Sequence, residues 1–73
     1  MDRRAEATRV GTAVSEAIAA AGKTPAEIAE AIGLTSDEML HHLSGDSEFS
    51  APQLVEIGGL LSVPASTLLR SAA

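Results

Sequence analysis

Apolar residues recur along the chain at the three- and four-residue spacing of an α-helix, and no stretch alternates with the two-residue period of a strand. Capping boxes, in which Thr or Ser precedes Glu or Gln by three positions, begin at Thr24, Thr35 and Ser50. A glycine follows three of the apolar segments and is a typical helix stop. The pattern predicts one compact all-α domain of five helices, over about 3–21, 25–32, 36–44, 51–61 and 64–71.

The second and third predicted helices carry the most specific spacing in the chain. Gly33 lies between them and can adopt the left-handed conformation that a sharp turn between helices requires. Ala29 is small, so the two helices can cross closely. Four apolar side chains are expected to point inward and to set the crossing angle: Ile28, Ile32, Leu34 and Met39.

These segments resemble the phage Cro and lambda-repressor-like family of helix-turn-helix regulators, over residues 10–69. The family's second helix and turn are similar to KTPAEIAEAIGLT, its recognition helix to SDEMLHHLSG, and its two closing helices to FSAPQLVEIGGLLSVPASTLL. Small regulators of actinobacterial phages and prophages are especially similar to HLSGDSEFSAPQLVEI. The resemblance implies a DNA-binding domain, often dimeric, that docks the helix 36–44 in the major groove of double-stranded DNA.

The same resemblance indicates which residues face DNA. The family's base-facing and backbone-facing positions fall on Thr35, Ser36, Asp37, Leu40, His41 and Ser44. The sequence departs from the family pattern at Asp37 and Leu40, where arginine, glutamine or serine is frequent. It departs again at Pro25, where a glutamine commonly contacts phosphate.

Basic side chains are concentrated near the N-terminus. They are either a solvated helix face or an arm that reaches backbone phosphates, beside the amide groups at the helix starts. As DNA-binding candidates we include Arg3, Arg4, Arg9 and Lys23.

The net charge of −5 is unevenly distributed along the chain. Residues 1–23 carry four bases and three acids, whereas residues 24–69 carry seven acids and no base. DNA-binding proteins usually collect Lys and Arg on the binding face, because phosphate neutralisation supplies most of the sequence-independent affinity. A DNA-binding transcriptional regulator is the main prediction. The charge supports an alternative, an acidic helix-turn-helix module that binds a basic protein partner as an antirepressor or inhibitor of another regulator.

The acids at the start of the helix 36–44 have a structural explanation beside a functional one. Acidic side chains favour the positive end of the helix dipole, and Glu38 completes a capping box. Asp37 also lies on the reading face, where it can accept a hydrogen bond from a cytosine amine. His41 and His42 point in different directions on a helix, which predicts solvated histidines and no shared metal ion.

Composition argues against several other classes of function. The chain has no cysteine, which removes disulfides and thiolate metal sites. No nucleophile with a base, carboxylate pair or phosphate-cradling loop is recognisable, so we expect no enzyme activity, cofactor, metal ion or small-molecule substrate. No apolar run reaches the ~18 residues that cross a membrane, and no signal peptide is evident. These features predict a cytoplasmic protein with no membrane partner.

The C-terminal segment is unusually apolar for the end of a 73-residue chain. Part of it must cover the core. The surplus is expected to form a two-fold contact in a homodimer, and complete burial within one chain is the alternative. The residues concerned are Leu60, Leu61, Val63, Leu68 and Leu69.

Overall fold

The computed structural model describes residues 3–71, which form five α-helices and no strand. The Cα radius of gyration is 10.9 Å, close to the ~11 Å of a compact chain of this length. The prediction of an all-α, five-helix fold is confirmed. The helices are α1 (Arg3–Ala20), α2 (Pro25–Ile32), α3 (Ser36–Ser44), α4 (Ala51–Leu61) and α5 (Ala65–Ser71).

Two predicted helix ends differ from the structure by one residue. The first helix ends at Ala20 and not at 21, because the chain turns through Gly22, whose φ is 72°. The fifth begins at Ala65 and not at 64. Pro64 precedes the helix as a cap, and its carbonyl oxygen accepts hydrogen bonds from the N–H groups of residues 67 and 68, at 2.9 and 3.4 Å.

Two of the predicted capping boxes are complete. Thr35 Oγ1 accepts a hydrogen bond from the Glu38 N–H at 3.0 Å, and the Glu38 carboxylate accepts one from the Thr35 N–H at 2.8 Å. Ser50 and Gln53 make the same exchange at the start of α4, at 3.2 and 2.8 Å. Each box satisfies backbone donors that the first turn of a helix leaves unpaired. The starts of α3 and α4 are therefore defined by their own side chains.

The third box, at the start of α2, differs from the prediction. Thr24 Oγ1 accepts a hydrogen bond from the Glu27 N–H at 3.2 Å. The Glu27 carboxylate then accepts from the Thr24 hydroxyl, also at 3.2 Å, in place of the Thr24 backbone N–H. A hydroxyl both donates and accepts, so one side chain can serve both contacts. Pro25 supports the same helix start because its φ is already helical.

The core lies where the inner faces of the five helices meet. Met39 is fully buried and is the one buried residue of α3, and the partly buried Leu43 of the same helix packs beside it against the core. Among the described residues no polar or charged side chain is buried. The buried cluster comprises Val14, Ile18, Ile28, Ala29, Met39, Leu54, Ile57, Leu61 and Leu68.

Residues 33–35 join α2 to α3. Gly33 has the predicted left-handed conformation, with φ 78° and ψ 25°. The following N–H, on Leu34, donates to the Ala29 carbonyl oxygen at 2.9 Å, while the Leu34 side chain packs against the core. This turn redirects the chain within three residues and brings α3 across α2.

α1 approaches the C-terminal end of α3 so closely that backbone meets backbone. A Cβ at Gly11 would lie 2.8 Å from the Leu43 carbonyl carbon and 2.9 Å from the His42 carbonyl oxygen. A Cβ at Gly45 would lie 2.8 Å from the Thr8 Cα. Neither position has room for a side chain. The two glycines therefore determine how closely α1 crosses this end of α3.

The adjacent glycines of α4 occupy opposite environments. A Cβ at Gly58 would collide with the Val63 carbonyl oxygen and lie 3.3 Å from the Ala65 N atom. The same segment is hydrogen-bonded to the helix, since the Val63 N–H donates to the Gly58 oxygen at 2.8 Å. At Gly59 nothing lies within 4 Å of the added atom. Only the first glycine is required by the α4–α5 connection.

Alanine substitutions at these two positions should have effects of opposite sign. Gly58→Ala should lower the free energy of unfolding by about 1–3 kcal/mol, because the backbone of the connection must shift. Gly59→Ala should raise it by ~0.5–1 kcal/mol, because alanine is the better helix former. Chemical denaturation of both variants measures the difference. Stabilisation by both substitutions would contradict the close approach at Gly58.

Candidate functional site

The outer face of α3 is not covered by the rest of the fold. Met39 points into the core, and the six residues predicted to face DNA are all exposed: Thr35, Ser36, Asp37, Leu40, His41 and Ser44. Leu40 has 58% of its surface accessible, although it is among the most apolar side chains in the helix. α3 thus presents a mixed polar and apolar face, with an acid in its first turn.

The N-terminal end of α3 binds a carboxylate of the same helix, that of Glu38. The Thr35 N–H donates to the Glu38 carboxylate, and this hydrogen bond, together with the Thr35 hydroxyl, lowers the pKa of Glu38 from its ordinary value. The positive end of a helix is a common binding place for phosphate. In this helix one of the first-turn donors already has an internal carboxylate as its partner.

The C-terminal end of α3 is organised around Asp46. The Ser44 hydroxyl donates to Asp46 Oδ2 at 3.2 Å and to the His41 carbonyl oxygen at 3.0 Å. His41 Nδ1 lies 3.5 Å from the same Asp46 oxygen. The Ser44 hydrogen bond, followed by the contact with Arg4, lowers the pKa of the Asp46 carboxyl. Two of the predicted reading residues therefore share one carboxylate.

Arg3 and Arg4 both reach acids of the α3–α4 loop. Arg3 Nε and Nη2 donate to the two carboxylate oxygens of Glu48, each at 3.1 Å, and Arg4 Nη2 donates to Asp46 Oδ1 at 2.7 Å. The hydrogen bond to Glu48, and then its charge, raises the pKa of Arg3. All four side chains remain between 43% and 84% exposed. We call this group of Arg3, Arg4, Asp46 and Glu48 the arginine clasp.

The other two basic candidates lie elsewhere along the chain. Arg9 lines a shallow depression of about 190 Å³ on the outside of α1, with Thr8, Thr12 and Glu16 among its neighbours. Lys23 is exposed in the α1–α2 connection, and its backbone N–H donates to the Ile18 carbonyl oxygen at 3.1 Å. Of the four bases, Arg3 and Arg4 are the ones that the clasp connects to the end of α3.

His42 is not the solvated histidine that the sequence predicted. Its ring is half-buried and stacks on Phe49, with centroids 4.7 Å apart and planes inclined by 19°. His42 Nδ1 lies 3.1 Å from the Ser47 carbonyl oxygen, so the residue packs against the loop that follows α3. The signal in the sequence was Phe49, the one aromatic residue of the chain. Helical spacing did not indicate this contact, because Phe49 is seven positions from His42 and lies beyond the end of α3.

The C-terminal apolar cluster divides between core and surface. Leu61 and Leu68 belong to the core, whereas Leu60 and Leu69 are 42% and 50% exposed. Leu69 also borders a depression of about 310 Å³ with a mixed lining. Its apolar residues include Val10, Phe49 and Leu54, and its charged residues are Arg3, Glu6 and Glu48. Complete burial within one chain is therefore excluded for Leu60 and Leu69, and the homodimer contact stays a prediction.

Residues 3–71 show neither a metal-binding cluster nor a membrane-spanning helix. Within residues 3–71 no three His, Cys, Asp or Glu side chains are grouped so that they could hold a metal ion. None of the helices described there combines the length and the apolarity that crossing a membrane requires. No protein-family model matches the chain, and no curated protein matches it. The site is therefore interpreted from its own geometry.

The lowered pKa of Glu38 predicts acid sensitivity of the fold. A carboxyl whose pKa is lower in the folded than in the unfolded chain contributes stability above its ordinary pKa of about 4, and this stability is lost as the pH falls through the lowered value. Glutamine also completes a capping box. Glu38→Gln should therefore keep most of the stability at pH 7 and weaken the decline below about pH 4.

Thermal unfolding midpoints between pH 7 and pH 3 test this expectation. Glu56→Gln, which removes an exposed carboxyl from the middle of α4, controls for the change in net charge. If the unfolding midpoints of Glu38→Gln and Glu56→Gln fell equally with pH, the cap at Thr35 would make no contribution to the acid sensitivity.

Proposed function

We propose that the protein is a small helix-turn-helix transcriptional regulator of the Cro and lambda-repressor type, as in phages and prophages, that binds double-stranded DNA. The observation that supports this proposal is the pose of α3. The helix is entered through the Gly33 turn and is anchored by Met39, and its outer face is left open to a partner. A short, exposed helix held across a second one is the arrangement that such domains insert into the major groove.

The dimensions and chemistry of α3 suit this role. An α-helix with its side chains is about 10–12 Å in diameter, which matches the ~12 Å width of the major groove. The 9 residues of α3 provide about two and a half turns to lie in it. Ser36, His41 and Ser44 offer polar atoms to base edges or phosphates, and Leu40 offers an apolar contact to a thymine methyl group. Asp37 either accepts from a cytosine amine or opposes the phosphates beside it.

The small number of basic residues predicts weak sequence-independent binding to DNA. Four bases lie on the N-terminal portion of the chain, and each phosphate contact changes the logarithmic salt dependence by about −0.9. The slope should therefore be no steeper than about −4 per subunit. Sequence-specific contacts from α3 must then supply a large share of the affinity.

A second candidate function is binding to a basic protein, as an antirepressor or an inhibitor of another regulator. It is favoured by the internal pairing of Arg3 and Arg4, which leaves their charge compensated by the chain itself. Leu40, exposed one turn after Asp37, would suit a basic and apolar partner. Charge complementarity of this kind steers the association of proteins.

Asp37→Asn separates the roles of the acid on the reading face. If the carboxylate only stabilises the helix start, removing its charge should tighten binding to random-sequence duplex, because a charge that repels phosphate is lost. If Asp37 reads a cytosine, the same change should weaken the specific site by about 1–3 kcal/mol and leave other sequences little affected. We expect the first result, measured by fluorescence anisotropy across a salt series.

The matched control is Glu56→Gln, which makes the same change of charge on α4. It should alter duplex binding less than Asp37→Asn does. Absence of binding near ~50 mM salt, both by the unmodified protein and by its acid-to-amide variants at Asp37, Asp46 and Glu48, would reject DNA binding and favour the protein partner. Weaker random-duplex binding by Asp37→Asn, or a salt slope much steeper than about −4, would reject the assigned role of the charges.

We also propose that the C-terminal helices form a homodimer. Leu60 on α4 and Leu69 on α5 remain 42% and 50% exposed and offer apolar surface that a second copy can cover around a two-fold axis. Sedimentation well above micromolar concentration should give the mass of a dimer. Leu69→Glu should give a monomer that remains folded, because half of the side chain is already exposed.

Leu40→Glu is the matched control for this experiment. Leu40 is exposed to a similar extent, at 58%, but lies on α3. Its substitution should leave the sedimenting mass unchanged. A monomeric unmodified protein, or a dimer that survives Leu69→Glu, would contradict the proposed contact.

A further inference from the structure

The arginine clasp uses the geometry with which arginine recognises phosphate. The guanidinium of Arg3 presents two parallel N–H groups to the two oxygens of Glu48, each at 3.1 Å. The same planar fork is the usual donor pair for a phosphate group. Asp46 and Glu48 therefore occupy donors that a DNA backbone would otherwise use.

The acids of the clasp are held in place by contacts that do not involve the arginines. The N–H of Asp46 donates to the His41 carbonyl oxygen at 2.9 Å, and the N–H of Ser47 donates to the same oxygen at 3.2 Å. The stacking of Phe49 on His42 fixes the far side of the loop. The loop backbone and the Asp46 carboxylate, which accepts from Ser44, are therefore positioned without help from the arginines of α1.

The ion pairs themselves are open to solvent and can be displaced. Side-chain exposure is 84% and 51% for Arg3 and Glu48, and 72% and 43% for Arg4 and Asp46. Exposed pairs of this kind contribute little to stability and are screened by salt. After Arg4 leaves, Asp46 still accepts from Ser44 and lies next to His41. Opening the clasp therefore does not leave a charged side chain buried without a partner.

We propose that the arginine clasp is an autoinhibitory contact, in which Asp46 and Glu48 compete with DNA phosphates for Arg3 and Arg4. This inference rests on the proposed function, DNA binding through α3. A phosphate that binds an arginine releases a cation from the DNA. When that arginine has first left a carboxylate, the exposed carboxylate attracts a cation in turn. The net release of cations, and with it the salt dependence of binding, is therefore smaller than for an arginine without a carboxylate partner. The clasp lowers sequence-independent affinity and leaves the base contacts of α3 to decide where the protein binds.

The test compares two double variants that remove the same amount of charge. Asp46→Asn/Glu48→Gln opens the clasp, and Glu30→Gln/Glu56→Gln removes exposed acids of α2 and α4 as the matched control. The probe is a random-sequence duplex titrated across a salt series. The clasp variant should bind roughly three- to tenfold more tightly than the control. Its salt slope should be steeper by up to about 2, one unit for each released arginine.

Removing the arginines provides the second arm of the test. Arg3→Gln/Arg4→Gln should weaken duplex binding less in the unmodified protein, where DNA must first displace Asp46 and Glu48, than in the clasp variant. In the clasp variant the same change should cancel the gain in affinity. This dependence on background is a coupling that a purely structural role of the loop acids would not produce. Thermal unfolding of every variant verifies that the fold is retained.

The outcomes distinguish failure of this inference from failure of the proposed function. If the unmodified protein binds duplex and the clasp variant behaves like the control, autoinhibition is rejected and DNA binding stands. If only the clasp variant binds, autoinhibition is supported in its strongest form. If no variant binds at any salt concentration, the proposed function is rejected and the inference with it.

Discussion

The exposure of α3 and the position of the arginine clasp both depend on the backbone contact between α1 and the C-terminal end of α3. Glycines at 11 and 45 allow α1 to lie directly against the carbonyl groups that end α3, where any side chain would separate the helices. Because α1 covers this end, the loop that follows is directed towards the start of α1, and Asp46 and Glu48 meet Arg3 and Arg4. The outer face of α3 is left exposed. One packing constraint thus produces both the exposed helix and the clasp.

Folding and binding draw on the same hydrogen-bond donors in this molecule. The N–H groups at the start of α3 and the guanidinium groups at the start of α1 are the natural partners of a phosphate. Within the folded chain they are used by Glu38, Asp46 and Glu48. Each of these carboxylates is exposed, so a ligand can replace it without uncovering a buried charge. An anionic ligand can therefore compete with these acids for the same donors.

The features predicted correctly from the sequence are those determined over short stretches. Capping at Thr35 and the turn at Gly33 depend on residues within four positions of each other, so composition and spacing suffice. The clasp joins residues 42 and 45 positions apart and exists only because α1 crosses α3. Helical spacing likewise left open which leucines of the C-terminal segment face outward. The packing of α5 against both α1 and α4 decides this, burying Leu68 and exposing Leu69.

Net charge describes the α3 surface poorly, because most acids of residues 24–69 are engaged within the chain. Glu27 and Glu38 cap helices, and the two loop acids pair with arginines. A carboxylate beside its counter-charge has little field beyond the ~8–10 Å over which salt screens it. The remaining acids of this segment are Glu30, Asp37 and Glu56, and of these Asp37 is the one on α3. Capping does not neutralise Glu38, so a polyanion that approaches α3 meets two carboxylates in its first turn, Asp37 and Glu38, whereas Arg3 and Arg4 compensate the two loop acids. The charge near α3 is therefore smaller than the total of −5 suggests. On this basis an acidic chain remains compatible with a DNA-reading helix.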